Sequence, residues 1–412
     1  MSEFRMRYLA NNDTSQEGVS RYRKPDMASE MGKFQALYYV TLGLGQFNDV
    51  NNRVHNIYLL FDTGSDFTWT QCEGCRQCFY QNSPYFPRTR SQTYQPYPCD
   101  QCPGGQCYQD HCSITNGYVD GMTMNGILAT ESFTFSSRSS FDETIPGLVF
   151  ACAMETSGFQ SANSYDNPIT GILGMGKGEF SLISQLGRYG EYRFSYCLQD
   201  SNNHAGAYSQ MMLSFGAEIG RTPIMSVTQI LSNPNRPNFY YVDLIDISVN
   251  NRRLNIPHQY FMMQRDNTGG TVFDSGSGLS YIVSNAFDIL KRGIERYVGR
   301  NNPYLRRNTN PNDFGFEACW EPLYDWPTTV SFPTITFHFG NNADMVVQPE
   351  QVVSSIPSPG VPNPGLYCLF LSRATTDINI IGAFQQVNQR MIIDVQTMQL
   401  SFAAEDCSQS TW

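Results

Sequence analysis

Two short stretches of this chain repeat one pattern: Phe61-Asp62-Thr63-Gly64-Ser65 and Phe273-Asp274-Ser275-Gly276-Ser277. Each follows an apolar, strand-like run, Ile57 to Leu60 in the first case and Thr271-Val272 in the second, so each sets a carboxylate just past a strand end. A carboxylate between an apolar strand and a glycine is half withdrawn from water. Two sites of the same build in one chain are expected to face each other, and carboxylates held that close cannot both stay charged. The duplication therefore constrains the chain to two related halves that meet at these loops.

A second repeat supports the first. Ile172-Leu173-Gly174 and Ile380-Ile381-Gly382 each follow one of the aspartate motifs, giving the order aspartate loop, glycine strand, aspartate loop, glycine strand. The surrounding Gly171 to Gly178 fits neither the G-x-x-x-x-G-K-[ST] nor the G-x-G-x-x-G phosphate loop and by itself reads as a tight turn beside a core strand. Between the motifs, Ser113 to Tyr118 and Ile127 to Phe135 are strand-like runs on either side of a glycine-bearing turn, which reads as a hairpin.

With the cysteine-rich stretch described below, these residues make the chain resemble a pepsin-like (A1) aspartic protease, and more narrowly the plant nepenthesin-like group. The resemblance spans about residues 37 to 407. It implies a mostly β, bilobal fold with the active-site cleft between the lobes. It also implies an aspartic endopeptidase working at acidic pH, with Asp62 and Asp274 sharing a proton and activating water. By the same resemblance Gly64 and Gly276 approach the dyad closely and offer amides to it. Ser65 and Ser277 bond the outer carboxylate oxygens, Thr63 and Ser275 link the two loops, and Tyr118 is the tyrosine of a flap that Trp69 hydrogen-bonds. Tyr118, Gly64, Gly276 and Ser277 are the implied substrate-binding residues, and no cofactor or metal is implied. Three positions depart from the family pattern. Val119 and Met122 stand where a glycine and a small polar residue are usual, and Gly278 replaces a hydroxyl residue. The bulkier flap residues bear on substrate preference, for which large apolar side chains are expected.

Composition agrees with this class. Apolar residues make up 41% and aromatic ones 13%, which excludes wholesale disorder, while 33 Gly, 22 Pro and only 16% charged residues suit many short strands joined by turns. The net charge of -10 and the lack of a Lys/Arg cluster argue against nucleic acid as a partner. The partners implied are a polypeptide substrate and a proteinaceous or peptidomimetic inhibitor, and a monomer is expected. No run of 18 apolar residues is present, so no membrane span is expected. Twelve cysteines point to an oxidising compartment, secreted or vacuolar with the extracellular one favoured, and to as many as six disulfides.

Seven of those cysteines, Cys72, Cys75, Cys78, Cys99, Cys102, Cys107 and Cys112, fall between residues 72 and 112. The Cys-x2-Cys spacing, with His111 nearby, also suits zinc, but an acidic oxidising compartment opposes the thiolates that zinc needs. The odd number means that one of the seven pairs elsewhere or stays free. Cys319 and Cys368 are one plausible pair, and Cys152, Cys197 and Cys407 are left open.

Along the chain, residues 1–33 read as a flexible leader or the remnant of a zymogen prosegment, with a sequon at Asn12-Asp13-Thr14. The amino-terminal lobe is expected over 34–225, including the insertion at 72–112 and the flap near 114–130. The carboxyl-terminal lobe is expected over 226–412. Helical spacing of Phe287, Leu290, Ile294 and Tyr297 predicts a helix over 285–298 capped by Ser284 or Asn285, and 299–315 reads as a surface excursion.

Two other functions fit paired carboxylates in this setting. A catalytically weak or silent relative would act as a glycosidase-inhibitor-like binding protein. A glycosidase would need its carboxyl groups about 5 Å apart or more, wider than a proton-sharing pair.

Overall fold

The computed structural model describes residues 27–408 except 35–36, 50–52, 120, 137–141, 160–164, 201–210, 217–218, 220–223, 309–314, 324–328 and 357–365. The sequon and most of the expected leader lie outside the described residues.

Each lobe is built on the same crossing. The strand His55–Asp62 runs parallel to Gly171–Gly174, with Leu173 opposite Phe61 and Gly174 opposite Asp62. In the second half Thr271–Asp274 runs parallel to Asn379–Gly382, with Ile381 opposite Phe273 and Gly382 opposite Asp274. The glycines are required by space. A Cβ on Gly174 would collide with the backbone of Asp66, and one on Gly382 with that of Leu279. The crossing strand thus packs against the chain leaving each aspartate and sets its direction.

A shared sheet joins the lobes. Its strands run Ala28–Phe34, Met212–Phe215, Arg193–Cys197, Gln389–Asp394, Gln399–Ala404 and Ser226–Leu231, all antiparallel neighbours. Both aspartate strands rest on it through aromatic edges. Phe61 meets Tyr196 at 4.8 Å between ring centres, while Phe273 meets Phe339 at 5.7 Å and Phe339 meets Phe402 at 5.6 Å. Because Tyr196 and Phe402 belong to the shared sheet, both loops are backed by it, Phe61 directly and Phe273 through Phe339.

The helix is longer than its apolar spacing suggests, Ser284–Asn301, and buries Ala286, Phe287, Leu290, Ile294 and Val298. Val283 occupies the N-cap without a side-chain bond, so neither Ser284 nor Asn285 serves there. The excursion expected over 299–315 is partly regular: Leu305–Arg307 pairs with Cys319–Pro322. Residues 28–33, expected within the leader, are strand instead: Ala28–Phe34 pairs with both Met212–Phe215 and Leu37–Leu44. Burial of Met27, Ala28 and Met31 holds it there.

All twelve cysteines are paired. Cys72 leaves the cysteine-rich stretch to join Cys152, and Cys75–Cys78, Cys99–Cys107 and Cys102–Cys112 close within it. Those sulfurs therefore offer no thiolate to zinc. Cys319 and Cys368 face each other on adjacent strands, and Cys197–Cys407 spans 210 residues. Chain-entropy arguments give a loop of that length about 5 kcal/mol of stabilisation. Replacing Cys197 and Cys407 with serine is therefore expected to lower the melting temperature more than opening Cys75–Cys78, which closes a loop of 3 residues. Calorimetry of the two variants checks this. No helix among the described residues is long and apolar enough to cross a membrane.

Candidate active site

The two aspartate loops meet through their hydroxyl residues. The Ser275 N–H donates to Thr63 Oγ1 at 2.9 Å, and the Thr63 N–H donates to Ser275 Oγ at 3.1 Å. Each hydroxyl then donates across the junction, Ser275 to the Phe61 carbonyl at 2.9 Å and Thr63 to the Phe273 carbonyl at 3.5 Å. Thr63 and Ser275 are fully buried, so every bond in this reciprocal set is shielded from competing water. Both loops are held in one relative position by four bonds from two side chains.

The carboxylates are cradled in matching ways. Asp62 Oδ1 accepts the Gly64 N–H at 2.9 Å and its Oδ2 accepts the Ser65 hydroxyl. Asp274 Oδ1 accepts the Gly276 N–H at 2.9 Å and its Oδ2 the Ser277 hydroxyl at 2.7 Å. Each glycine also abuts the opposite acid. A Cβ on Gly64 would lie 2.7 Å from Asp274 Oδ1, and one on Gly276 would lie closer still to Asp62 Oδ1. The acids are in direct side-chain contact, and Asp62 is 6% exposed. Burial first and the Asp274 charge second push the Asp62 carboxyl up to about 8, against the opposing pull of the Ser65 and Gly64 donors. One proton held between the two is the electrostatic consequence.

Above the pair, His111–Gly117 and Thr123–Phe135 form a hairpin. Its turn is closed by the Tyr118 N–H on the Met122 carbonyl at 2.9 Å. Tyr118 lies at the turn, and its hydroxyl accepts the indole N–H of buried Trp69 at 2.6 Å. Val119 is 76% exposed, and Val119 and Met122 both border the cleft. Gly278 borders it too, and its carbonyl accepts the Phe384 N–H at 3.1 Å.

The cleft encloses about 870 Å3 and contains Asp62, Asp274, Gly64, Gly276, Ser277 and Tyr118 among its lining residues. Its amino-lobe wall is apolar, with Phe34, Leu37, Phe79 and Phe159 beside Trp69. Sequence reasoning did not place these four there, because they come from segments far apart in the chain. It also missed Asp66, whose Oδ1 accepts the Gly178 N–H at 2.9 Å and whose carboxyl burial holds above the ordinary range. Its signal was the alternation Gly174, Gly176, Gly178, since a Cβ on either of the last two would strike the Asp66 side chain.

A second constellation lies elsewhere in the carboxyl lobe. Ser248 Oγ is 2.7 Å from His338 Nε2, and His338 Nδ1 is 2.7 Å from Asp344 Oδ1. Ser248 is only 2% exposed, which keeps a substrate carbonyl from its hydroxyl. The line ties the strands Leu244–Val249, Ile335–Phe339 and Ala343–Val347 together.

Comparison with known proteins gives matches over most of the chain. Residues 38–216 match the family model described as xylanase inhibitor N-terminal, and residues 239–404 the one described as xylanase inhibitor C-terminal. Aspartic proteinase nepenthesin-2 of Nepenthes gracilis is 32% identical over 358 residues, covering 85% of this chain and 75% of its own. Nepenthesin-1 of the same plant matches with equal identity and coverage. Among solved structures, that of edgp has a TM-score of 0.71 at 17% identity, covering 93% of this chain and 96% of its own. Basic 7S globulin from soybean has a TM-score of 0.69 at 15% identity, covering 93% and 98%. At such identities these two speak for the fold alone.

Proposed function

The chain belongs to the plant nepenthesin-like group of pepsin-like aspartic proteases, and from that membership we propose that it hydrolyses peptide bonds with water activated between Asp62 and Asp274. The observation that carries this reading is the lodging of each loop's glycine against the opposite acid, which keeps the two carboxyl groups in contact. One carboxylate, ionised, takes a proton from the water, while the protonated partner donates to the scissile carbonyl oxygen. Attack gives a neutral gem-diol, and proton transfer to nitrogen releases the amine. No covalent intermediate is required. The proton belongs to the pair rather than to either residue.

Around this dyad, the glycine amides and the Ser65 and Ser277 hydroxyls hold the carboxylates in plane. Thr63 and Ser275 keep the loops in register, and Tyr118 closes over the substrate. The apolar amino-lobe wall favours large apolar side chains. Six disulfides suit secretion into an oxidising, extracellular or vacuolar compartment, where a monomer made as a zymogen would act.

Digestion of an acid-denatured protein, blocked by a hydroxyl-bearing mimic of the gem-diol, tests the proposal. Digestion insensitive to the mimic, or none at all, would overturn it. The descriptions of the matching family models favour a second reading, a binding protein without turnover. That reading predicts that a pure sample binds a glycosidase and leaves denatured protein intact.

Trp69→Phe removes the indole donor while keeping an aromatic ring, so the bond from Trp69 to the Tyr118 hydroxyl is lost. Loss of a hydrogen bond of this kind corresponds to a fall of about tenfold in kcat/KM. The pH limits of activity are expected to stay in place. A shift of those limits in a pH series would mean that the tryptophan acts on the dyad rather than on the flap.

A further inference from the structure

The two lobes contribute matching residues to the floor of the cleft and then diverge. Leu60 and Ile172 lie two positions before Asp62 and Gly174, and Val272 and Ile380 lie two positions before Asp274 and Gly382. Beyond them the amino-lobe wall is mostly apolar, with Asn167 and the Tyr118 hydroxyl as polar exceptions, and carries no charge besides Asp62. On the carboxyl-lobe side Ile378 packs with Val272 and Ile380, and Arg236 lines the cleft as well. Among the described lining residues Arg236 is the one cation.

We infer that Arg236 forms a subsite that selects an acidic side chain of the substrate, three to five residues from the bond that is cut. This rests on the protease reading above and adds a charged position to it. Arg236 Nη1 lies 3.5 Å from Asp377 Oδ1, with the two side chains 41% and 44% exposed. Asp377 Oδ2 in turn accepts the Gly269 N–H at 2.7 Å, which anchors the pair beside the residue five before Asp274. Five residues of chain reach at most roughly 18 Å, and the positive φ of Gly269 and Gly270 shortens that span, so the pair lies within this distance of the dyad. A guanidinium has five N–H donors, so one ion-pair contact leaves capacity for a second carboxylate. The Gly269 amide and the Arg236 charge keep Asp377 below the ordinary carboxylate range, so it stays ionised in mild acid and goes on orienting the arginine. It also opposes an incoming anion, which limits the preference.

The charge of a substrate glutamate, with a pKa of about 4.3, gives the selection a pH dependence. A peptide with an apolar core is varied as Glu, Gln or Lys at each position three to five residues to either side of the scissile bond. Values of kcat/KM are then compared at pH 3 and pH 5.5. One position is expected to favour Glu over Gln by about fivefold at pH 5.5 and to lose that preference at pH 3, the scale of a half-exposed ion pair. Arg236→Lys should retain the preference and Asp377→Asn should increase it. Arg236→Ala, which leaves Asp377 without its cation, should turn it towards Lys. Cleavage of the parent peptide with no Glu preference at any position, or with the same preference in Arg236→Ala, overturns the subsite alone. Failure to cleave any peptide would overturn the protease reading instead.

Discussion

Asp62→Asn and Asp274→Asn are each expected to lower kcat by about 10²- to 10⁴-fold, the range for a positioned acid–base group, with the fold intact. Asparagine keeps the shape, with an oxygen to accept the glycine amide and an NH2 that can donate to the serine hydroxyl, but it can neither take a proton from water nor share one. The Asp62 variant should differ in a second way. In the folded chain burial and the Asp274 charge raise this carboxyl above the 3.8 of an unperturbed aspartate. As pH rises past that value the unfolded chain releases a proton that the folded pair retains, so stability falls until the pair gives it up. Removing the acid removes that penalty. The variant should therefore turn over slowly, and its melting temperature should decline less than that of the parent between pH 4 and pH 8. Near-parental turnover in either variant would mean that the two acids are not the reacting pair.

Gly276→Ala should have the next largest effect, although it adds one methyl group and removes no functional group. Gly276 does not have a positive φ, so alanine fits the backbone and its cost comes from the space that its Cβ would take beside Asp62 Oδ1. Either the carboxylate moves or the loop does. Misplacement by about 1 Å costs on the order of a hundredfold in turnover. Gly64→Ala, with its Cβ 2.7 Å from Asp274 Oδ1, should act in the same direction and less strongly. Kinetics alongside thermal melting separates this from unfolding, since the change should appear in kcat while most of the stability remains. If both alanine variants turn over normally, the acids are not packed as closely as these contacts require.

What could be read from the sequence is what local chemistry demands. A glycine and a hydroxyl after each aspartate are needed wherever a carboxylate is to be cradled, so the two motifs announced themselves. The crossing strands did so as well, because only glycine fits at Gly174 and Gly382. The apolar spacing from Phe287 to Tyr297 marked the helix for the same reason. Features made by distant partners could not be read in this way. The strand Ala28–Phe34 looks polar through Ser29, Glu30 and Lys33, and it becomes a strand by pairing with Met212–Phe215 and Leu37–Leu44. Cysteine pairing is of the same kind. The partner of Cys72 lies 80 residues away, and spacing within the cluster carries no trace of it. Arg236, between Asn235 and Pro237 in a segment that reads as a break in the pattern, enters the cleft only once the lobes are assembled.

The shared proton is tested most directly by the pH dependence of kcat/KM, from pH 2 to pH 9, on a peptide without titratable side chains. The account predicts a bell: activity rises with the first ionisation of the pair and falls with the second, each limb governed by one proton, and the upper limb lies well above 3.8. A profile that climbs and then stays level through neutral pH, or one indifferent to pH, would contradict it, because no proton held between Asp62 and Asp274 would then be needed for the reaction.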